Sequence, residues 1–276
     1  MIELHCHTTY SDGTLTPQQL VATALAAGVR ALAITDHDTL GGWAEAEAAA
    51  AGTGLEIVPG VELSTVENGR SLHVLGFYPD RDRLRGPLAD RLAGRQRRAE
   101  TMVAKLEALG YGITLPVLGE STAPGRPHLA KALVAAGHVG SINEAFDRFL
   151  GEGKPAHVAY EPFSATEGIR LLRSCGAVTV WAHPPLFQGG SVAAVLPKLL
   201  EAGLQGLEVC HPSYGSRDRR QLESLCQRHG LLPSGGSDYH GPGSNGKDTV
   251  SLNALGIPWA WLDGIKAAAL PPAIGS

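Results

Sequence analysis

Residues 31–38 read Ala-Leu-Ala-Ile-Thr-Asp-His-Asp. The short apolar run has the character of a strand buried on both faces. It stops abruptly in two carboxylates flanking an imidazole. A buried strand ending in ligand-forming side chains is what a parallel sheet presents at its carboxyl rim, where α/β proteins carry their sites. This octapeptide therefore predicts an α/β fold, and the rest of the chain repeats its pattern.

On its N-terminal side, IELHCH (2–7) reads as a strand. Thr16 and Pro17 supply an N-cap and a first-turn proline for a helix that Gly28 closes. On its C-terminal side an alanine-rich helix runs to about Ala51, and LEIVPGVEL (55–63) gives another strand. Asn68-Gly69 predicts a tight turn back into SLHVLGFY (71–78). From 79 to 156 the pattern becomes helical and is read as an insertion capping the active site, which leaves 1–78 and 157–276 as the main barrel. Alternation then resumes. Ser164 to Glu167 is a capping box, AVTVWAH (177–183) and LEVCH (207–211) are strands, and 216–230 is a helix. LLPSGGSDYH (231–240) is the last strand-like run, followed by a Gly/Pro/Ser/Asn loop, a short helix and a loose PPAIGS end. Seven strands alternating with helices predict a mostly parallel sheet closed as a barrel, with an open doubly wound sheet as the alternative. No dinucleotide-binding glycine motif, phosphate loop or GxSxG elbow is present.

The chain of 276 residues can bury a substantial core, and its net charge of −4 argues against a broad basic face for long duplex nucleic acid. No leader and no apolar run of about 18 residues is evident, so no membrane partner is expected. Cys6, Cys175, Cys210 and Cys226 form no CxxC pair, and four free thiols fit a reducing cytoplasm.

The placement of the histidines carries the chemistry. His5 and His7 are two apart on a strand and share a face. His37, Glu62, His183, His211, Asp238 and His240 fall at strand ends, and His73 lies inside a strand. Each alone has an ordinary structural reading, as a packing or capping residue. The same rim and the same ligand-forming residue types recurring on nearly every strand make a site. Imidazoles and carboxylates without thiolates suit Mn, Fe or Zn, and this many donors suits two or three divalent ions. Clustered ions about 3.5–4 Å apart activate water and clamp both oxygens of a phosphoryl transfer.

HCHTTYSDG, TDHD, PGVE, AHP and SDYH, in that order, resemble the motifs of the PHP family (polymerase and histidinol phosphatase) along essentially the whole chain. Gly125-Arg126-Pro127-His128 and Gly153 to His157 are similar to the insertion of its small stand-alone branch. The resemblance implies a distorted seven-stranded (βα) barrel. It also implies a phosphoesterase acting on nucleoside 3',5'-bisphosphates or trimming short 5'-phosphorylated RNA from its 5' end. Carried over by motif, His5, His7, Glu62 and Asp238 would bind one metal. Glu62, His73 and His183 would bind a second, and Asp12, His37 and His240 a third.

A hydroxide bridging two ions is expected to attack phosphorus, with His211 as the proton donor or a cap before Pro212. Asp36 joins His211 among the catalytic candidates, and with Asp38 is read as orienting His37 or its neighbours. Arg126 and His128 are the candidates for gripping a small phosphorylated substrate. Seven arginines between Arg81 and Arg98 are read either as an oligonucleotide track or as a solvated helix face. The rival readings are a histidinol-phosphate phosphatase, a C–N bond hydrolase and a non-catalytic metal-stabilised module.

Overall fold

The computed structural model of the chain describes residues 1–114, 122, 124–159, 163–242 and 251–269. Among these, seven strands form one sheet ordered as in the chain: β1 (Ile2–Glu3), β2 (Ala31–Ile34), β3 (Glu56–Glu67), β4 (Arg70–Phe77), β5 (Val178–Trp181), β6 (Gly206–Cys210) and β7 (Leu232–Gly235). The helices are α1 (Pro17–Ala26), α2 (Trp43–Ala50), α3 (Arg81–Ala108), α4 (Arg126–Ala135), α5 (Ile142–Ala145), α6 (Ala165–Ser174), α7 (Val192–Glu201), α8 (Ser216–His229) and α9 (Trp259–Ala269). The expected loop after Gly241 and the PPAIGS end fall mainly outside the described residues.

The sheet is a nearly closed barrel, not an open doubly wound one. The Leu4 amide donates to the Gly235 carbonyl at 3.3 Å and the His7 amide to the Tyr239 carbonyl at 2.8 Å, so the first strand meets the last. Regular pairing of IELHCH stops after Glu3. Beyond it Thr35 holds Cys6 with both backbone and side chain: its amide donates to the Cys6 carbonyl, and its hydroxyl donates to that carbonyl and accepts from the Cys6 amide, all at 3.0 Å.

The sheet is parallel except around β4, which runs antiparallel to both β3 and β5. Asn68 and Gly69 turn the chain at φ 50 and 73, the positive pair that a tight hairpin of primed type requires. Pairing continues from Gly60–Phe77 to Glu67–Arg70, so Glu62 is a mid-strand residue and does not end its strand as expected. Reversal of β4 also explains His73, which lies near that strand's beginning and so reaches the same rim as the C-terminal ends of its neighbours.

Thr16 and Ser164 open α1 and α6 with reciprocal capping boxes, as their sequences predict. Apolar strand residues such as Ile2, Val58, Leu75 and Val180 are fully buried, each contributing about 1.5–3 kcal/mol of transfer free energy when its side chain leaves water. Between β4 and β5, the helices α3 to α5 gather a separate apolar cluster that includes Met102, Leu106, Leu129, Leu133 and Phe149. α4 begins at Arg126 itself, with Gly125 as its N-cap, one residue earlier than a start at Pro127.

Candidate metal centre

Glu62 sits at the middle of the barrel rim with 1% of its surface exposed. One carboxylate oxygen is 3.3 Å from His5 Nε2, 3.2 Å from His7 Nε2 and 3.1 Å from His37 Nδ1. The other is 2.9 Å from His73 Nδ1 and 3.1 Å from His183 Nε2. Asp238 adds an oxygen 3.4 Å from His5 Nε2 and 3.1 Å from His7 Nε2. On the other flank, Asp12 lies 3.1 Å from His240 Nε2 and 3.9 Å from His37 Nε2.

The nine residues picked from sequence as ligands thus form one network. Three groups have donor atoms within 4.8 Å of one another: His5, His7, Glu62 and Asp238; His7, Asp12, His37 and His240; and His37, Glu62 and His73. The first set matches the expected grouping. The expected group of Glu62, His73 and His183 appears with His37 in place of His183, although His183 touches the same Glu62 oxygen as His73, and the expected group of Asp12, His37 and His240 gains His7.

Hydrogen-bond bookkeeping shows what the network fits. His5 turns Nδ1 to the Glu208 carboxylate at 2.9 Å, which places its proton there and leaves Nε2 bare toward Glu62 and Asp238. His240 likewise donates from Nδ1 to the Asp238 carbonyl at 2.7 Å, leaving Nε2 facing Asp12. Acceptor then faces acceptor across a short gap, which a cation resolves. His5 Nε2, His7 Nε2, Asp12 Oδ1 and His37 Nδ1 are buried with no hydrogen-bond partner among the described residues. Buried polar atoms are rarely left so, and four converging on one rim fit divalent cations held by nitrogen and oxygen donors.

Burial would raise the carboxyls of Glu62, Asp12 and Asp238, but the surrounding imidazoles outweigh it and hold all three well below the usual carboxylate range. Burial lowers His7, yet the Asp238 and Glu62 carboxylates hold it up at about 10, whereas burial takes His37 down to about 3.

A layer of carboxylates beneath the donors fixes their positions. Asp36 is not aimed at His37. It accepts from the Thr8 amide and hydroxyl, each at 2.7 Å, and from the Ser11 hydroxyl at 2.6 Å, so it ties down the loop between His7 and Asp12. Ser11 in turn meets His7 Nδ1 at 3.4 Å. Asp38 binds Arg95 Nε at 2.6 Å and Arg91 Nε at 3.1 Å. Of the arginines between Arg81 and Arg98, Arg91 is thereby turned inward, and Arg95 and Arg98 are only 4% and 6% exposed, which removes these three from any surface track. Glu3 and Glu208, fully buried, were missed in the sequence. Glu3 accepts from the Ser237 amide at 2.9 Å, next to Asp238. The available signal was a carboxylate inside an apolar strand run, in IEL and in LEVC.

Above the cluster opens a cleft of about 620 Å³. Arg126 and Phe146 line it on the α4–α5 side, and Leu186 and Phe187 on the β5 side. His128 is not among the lining residues. Its Nδ1 accepts from the Gly125 amide at 3.1 Å, closing the start of α4. His211 is buried, with Nδ1 accepting from the Ser213 amide at 3.2 Å and Nε2 3.7 Å from Asp238. Among the described residues no helix is long and apolar enough to cross a membrane, and the four cysteines are free and buried.

Residues 3–122 match the PHP domain family model. A 3',5'-nucleoside bisphosphate phosphatase from Chromobacterium violaceum is 35% identical over 255 residues, 90% of each chain. A 5'-3' exoribonuclease from Haemophilus influenzae is 36% identical over 249 residues, covering 87% of this chain and 90% of that one. A crystal structure from Bifidobacterium adolescentis, assigned as a metal-dependent phosphoesterase, superposes with a TM-score of 0.85 at 33% identity, covering 98% of this chain and 96% of that one. Fold and site together define a metal-dependent hydrolase on an α/β barrel. The chain belongs to the PHP family.

Proposed function

We propose that the chain hydrolyses phosphate esters of ribonucleotides, releasing phosphate from nucleoside 3',5'-bisphosphates or trimming short 5'-phosphorylated RNA from its 5' end. The observation that carries this reading is the Glu62 carboxylate, which meets five imidazoles at 2.9 to 3.3 Å on the floor of a cleft walled by Arg126. His5, His7, Glu62 and Asp238 would hold one ion, Glu62, His73 and His183 a second, and Asp12, His37 and His240 a third, as manganese, iron or zinc. Such ions supply Lewis acidity to a phosphoryl oxygen and acidify water.

The chain's own groups supply the rest. Arg126 offers a planar fork that matches two phosphate oxygens. His211, its Nδ1 occupied by a backbone amide, carries its N–H on Nε2, where it can hydrogen-bond the leaving ribose oxygen and offset the charge that develops there. Phe146 and Phe187 give a base an aromatic wall. Glu208 and Asp36 keep His5 and His7 aimed. In this reading segment 79–156 is a cap on the barrel 1–78 and 157–276, because it carries both Arg126 and Phe146. Relatives covering most of the chain and named for these two activities support it.

Phosphate release by the manganese-loaded protein tests the reading, with adenosine 3',5'-bisphosphate, a 5'-phosphorylated RNA oligomer and histidinol phosphate side by side. Turnover of the bisphosphate or the RNA, abolished by Asp238→Asn or His7→Asn, is expected. Preference for histidinol phosphate, or silence on all three with metal bound, overturns it.

A further inference from the structure

A second cavity, of about 500 Å³, lies between α3 and residues 38–44, the segment that leaves the barrel rim directly after His37. It shares no lining residue with the cleft over the metal-binding cluster, and nothing in the phosphoester chemistry above uses it. From α3 it is lined by Arg81, Arg85, Leu88 and Leu92, whose spacing puts them on one helix face. Leu40 and Ala44 stand on the opposite wall. The cavity is therefore apolar toward Leu92 and cationic toward Arg81.

The cationic end is short of acids. Arg81 lies 5.2 Å from the centroid of a Trp43 ring and reaches Glu47 at 3.4 Å. Arg85 is exposed and makes no hydrogen bond or ion pair among the described residues. Asp38 is the only carboxylate on these walls among the described residues, and its oxygens are committed to Arg95 at 2.6 Å and Arg91 at 3.1 Å. No negative charge is left over to answer Arg85. A guanidinium fork matches the oxygens of a carboxylate or sulfonate, and the leucines and alanines beside it match an apolar body. The volume falls inside the range of about 300–1,000 Å³ usual for small-molecule sites.

The location links an occupant to the metal centre. Asp38 follows His37 in the chain, and its carboxylate ties that loop to α3. A ligand wedged between the loop and the helix braces the same joint on which the position of His37 depends, so ligand and metal each favour binding of the other. We propose that this cavity is an effector site for a small organic anion, a ring system or alkyl chain carrying one carboxylate or sulfonate, and that its occupancy strengthens metal binding. The inference is independent of the nucleotide reading above.

Anilinonaphthalene sulfonate is a suitable probe, because its fluorescence rises on leaving water and its sulfonate is a weak metal ligand. Phenylnaphthylamine offers the same apolar body without the charge. Fluorescence titration of the manganese-loaded protein is expected to show one saturable site, about tenfold tighter for the sulfonate than for the amine. Arg85→Ala should weaken the sulfonate about tenfold and leave the amine unchanged, the loss of one charge-assisted pair. Arg83→Ala removes an exposed arginine of the same helix that does not line the cavity, and should change neither. Ala89→Trp, at an exposed position on the wall, should abolish binding of both by filling the space. Equal binding of the two probes, or a sulfonate unaffected by Arg85→Ala, overturns the assignment to an anion. Absence of saturation, or binding that survives Ala89→Trp, overturns the site. Chelator competition for manganese reads the effector role. Saturating sulfonate is expected to raise metal affinity about fivefold, the low end of common coupling, and to have no effect in Ala89→Trp. An unchanged affinity with the probe bound overturns that role.

Discussion

Glu208 Oε1 lies 2.9 Å from His5 Nδ1, and the other oxygen of the same carboxylate accepts the His183 amide at 2.7 Å. One fully buried side chain on β6 therefore sets the ring orientation of one donor and the backbone position of another. His183 needs that support, since it sits at φ 36, a left-handed conformation costly for a residue with a Cβ. Glu208→Gln keeps the shape but replaces an acceptor by a donor that faces one of two N–H groups. Metal affinity is expected to fall about 10- to 100-fold, the usual cost of losing an outer-shell carboxylate. Chelator competition measures this, with circular dichroism confirming the fold, and an unchanged affinity would remove the orienting role.

His211 stands beside Asp238 without being one of the nine residues assigned to metal. Its Nε2 is buried, lacks a hydrogen-bond partner among the described residues and lies 3.7 Å from Asp238. If the N–H on that atom offsets charge on the leaving oxygen, His211→Asn lowers kcat more than about a hundredfold, within the range for loss of one such donor. Metal content, read by elemental analysis, should stay unchanged. A loss of a few fold would leave His211 as a turn residue before Pro212.

The barrel and the donors were readable in the sequence because both obey short-range rules. ALAI and VTVW are buried runs, HCH puts two imidazoles on one face, and Asn68-Gly69 marks the hairpin. What escaped depends on contacts far along the chain. Asp38 and Arg95 are 57 positions apart, so nothing local tells that this arginine faces inward while others of its helix face water. Glu208 is 203 positions from His5, and only the closed barrel brings β6 beneath β1. Glu62 read as a strand end because the apolar run 55–63 stops just after it, yet β4 keeps β3 paired to Glu67.

Gly236 marks where the barrel closes. A Cβ there would stand 2.4 Å from His5 Cβ and 2.5 Å from its backbone nitrogen, closer than packed atoms come. Gly236→Ala must push β7 away from the first strand, and such overpacking costs about 1–3 kcal/mol. A melting temperature several degrees lower in chelator is expected, with a further loss of metal affinity because His5 moves. An unchanged melting temperature would show that the seam yields without cost.

Asp38 joins the α3 helix to the loop that carries His37, and its ionisation makes that joint pH-dependent. Its carboxylate accepts from Arg95 at 2.6 Å, Arg91 at 3.1 Å and the Ser64 amide at 3.0 Å. Burial would raise it, but Arg95 and then Arg91 hold it down at about 2. In the unfolded chain an aspartate titrates near about 3.9. A depressed folded value means that the stabilisation is complete above that unfolded value and fades as pH falls toward about 2, amounting to roughly 2–3 kcal/mol at neutral pH by linkage. Asp38→Asn also strands two guanidiniums, and breaking a buried pair costs about 3–5 kcal/mol. Urea unfolding of both proteins should therefore show a gap of a few kcal/mol at pH 7. That gap should narrow steadily below pH 4, down to the lowest pH at which both stay folded. A gap that does not change with pH would mean that the charge on Asp38 is not what holds the helix to the His37 loop.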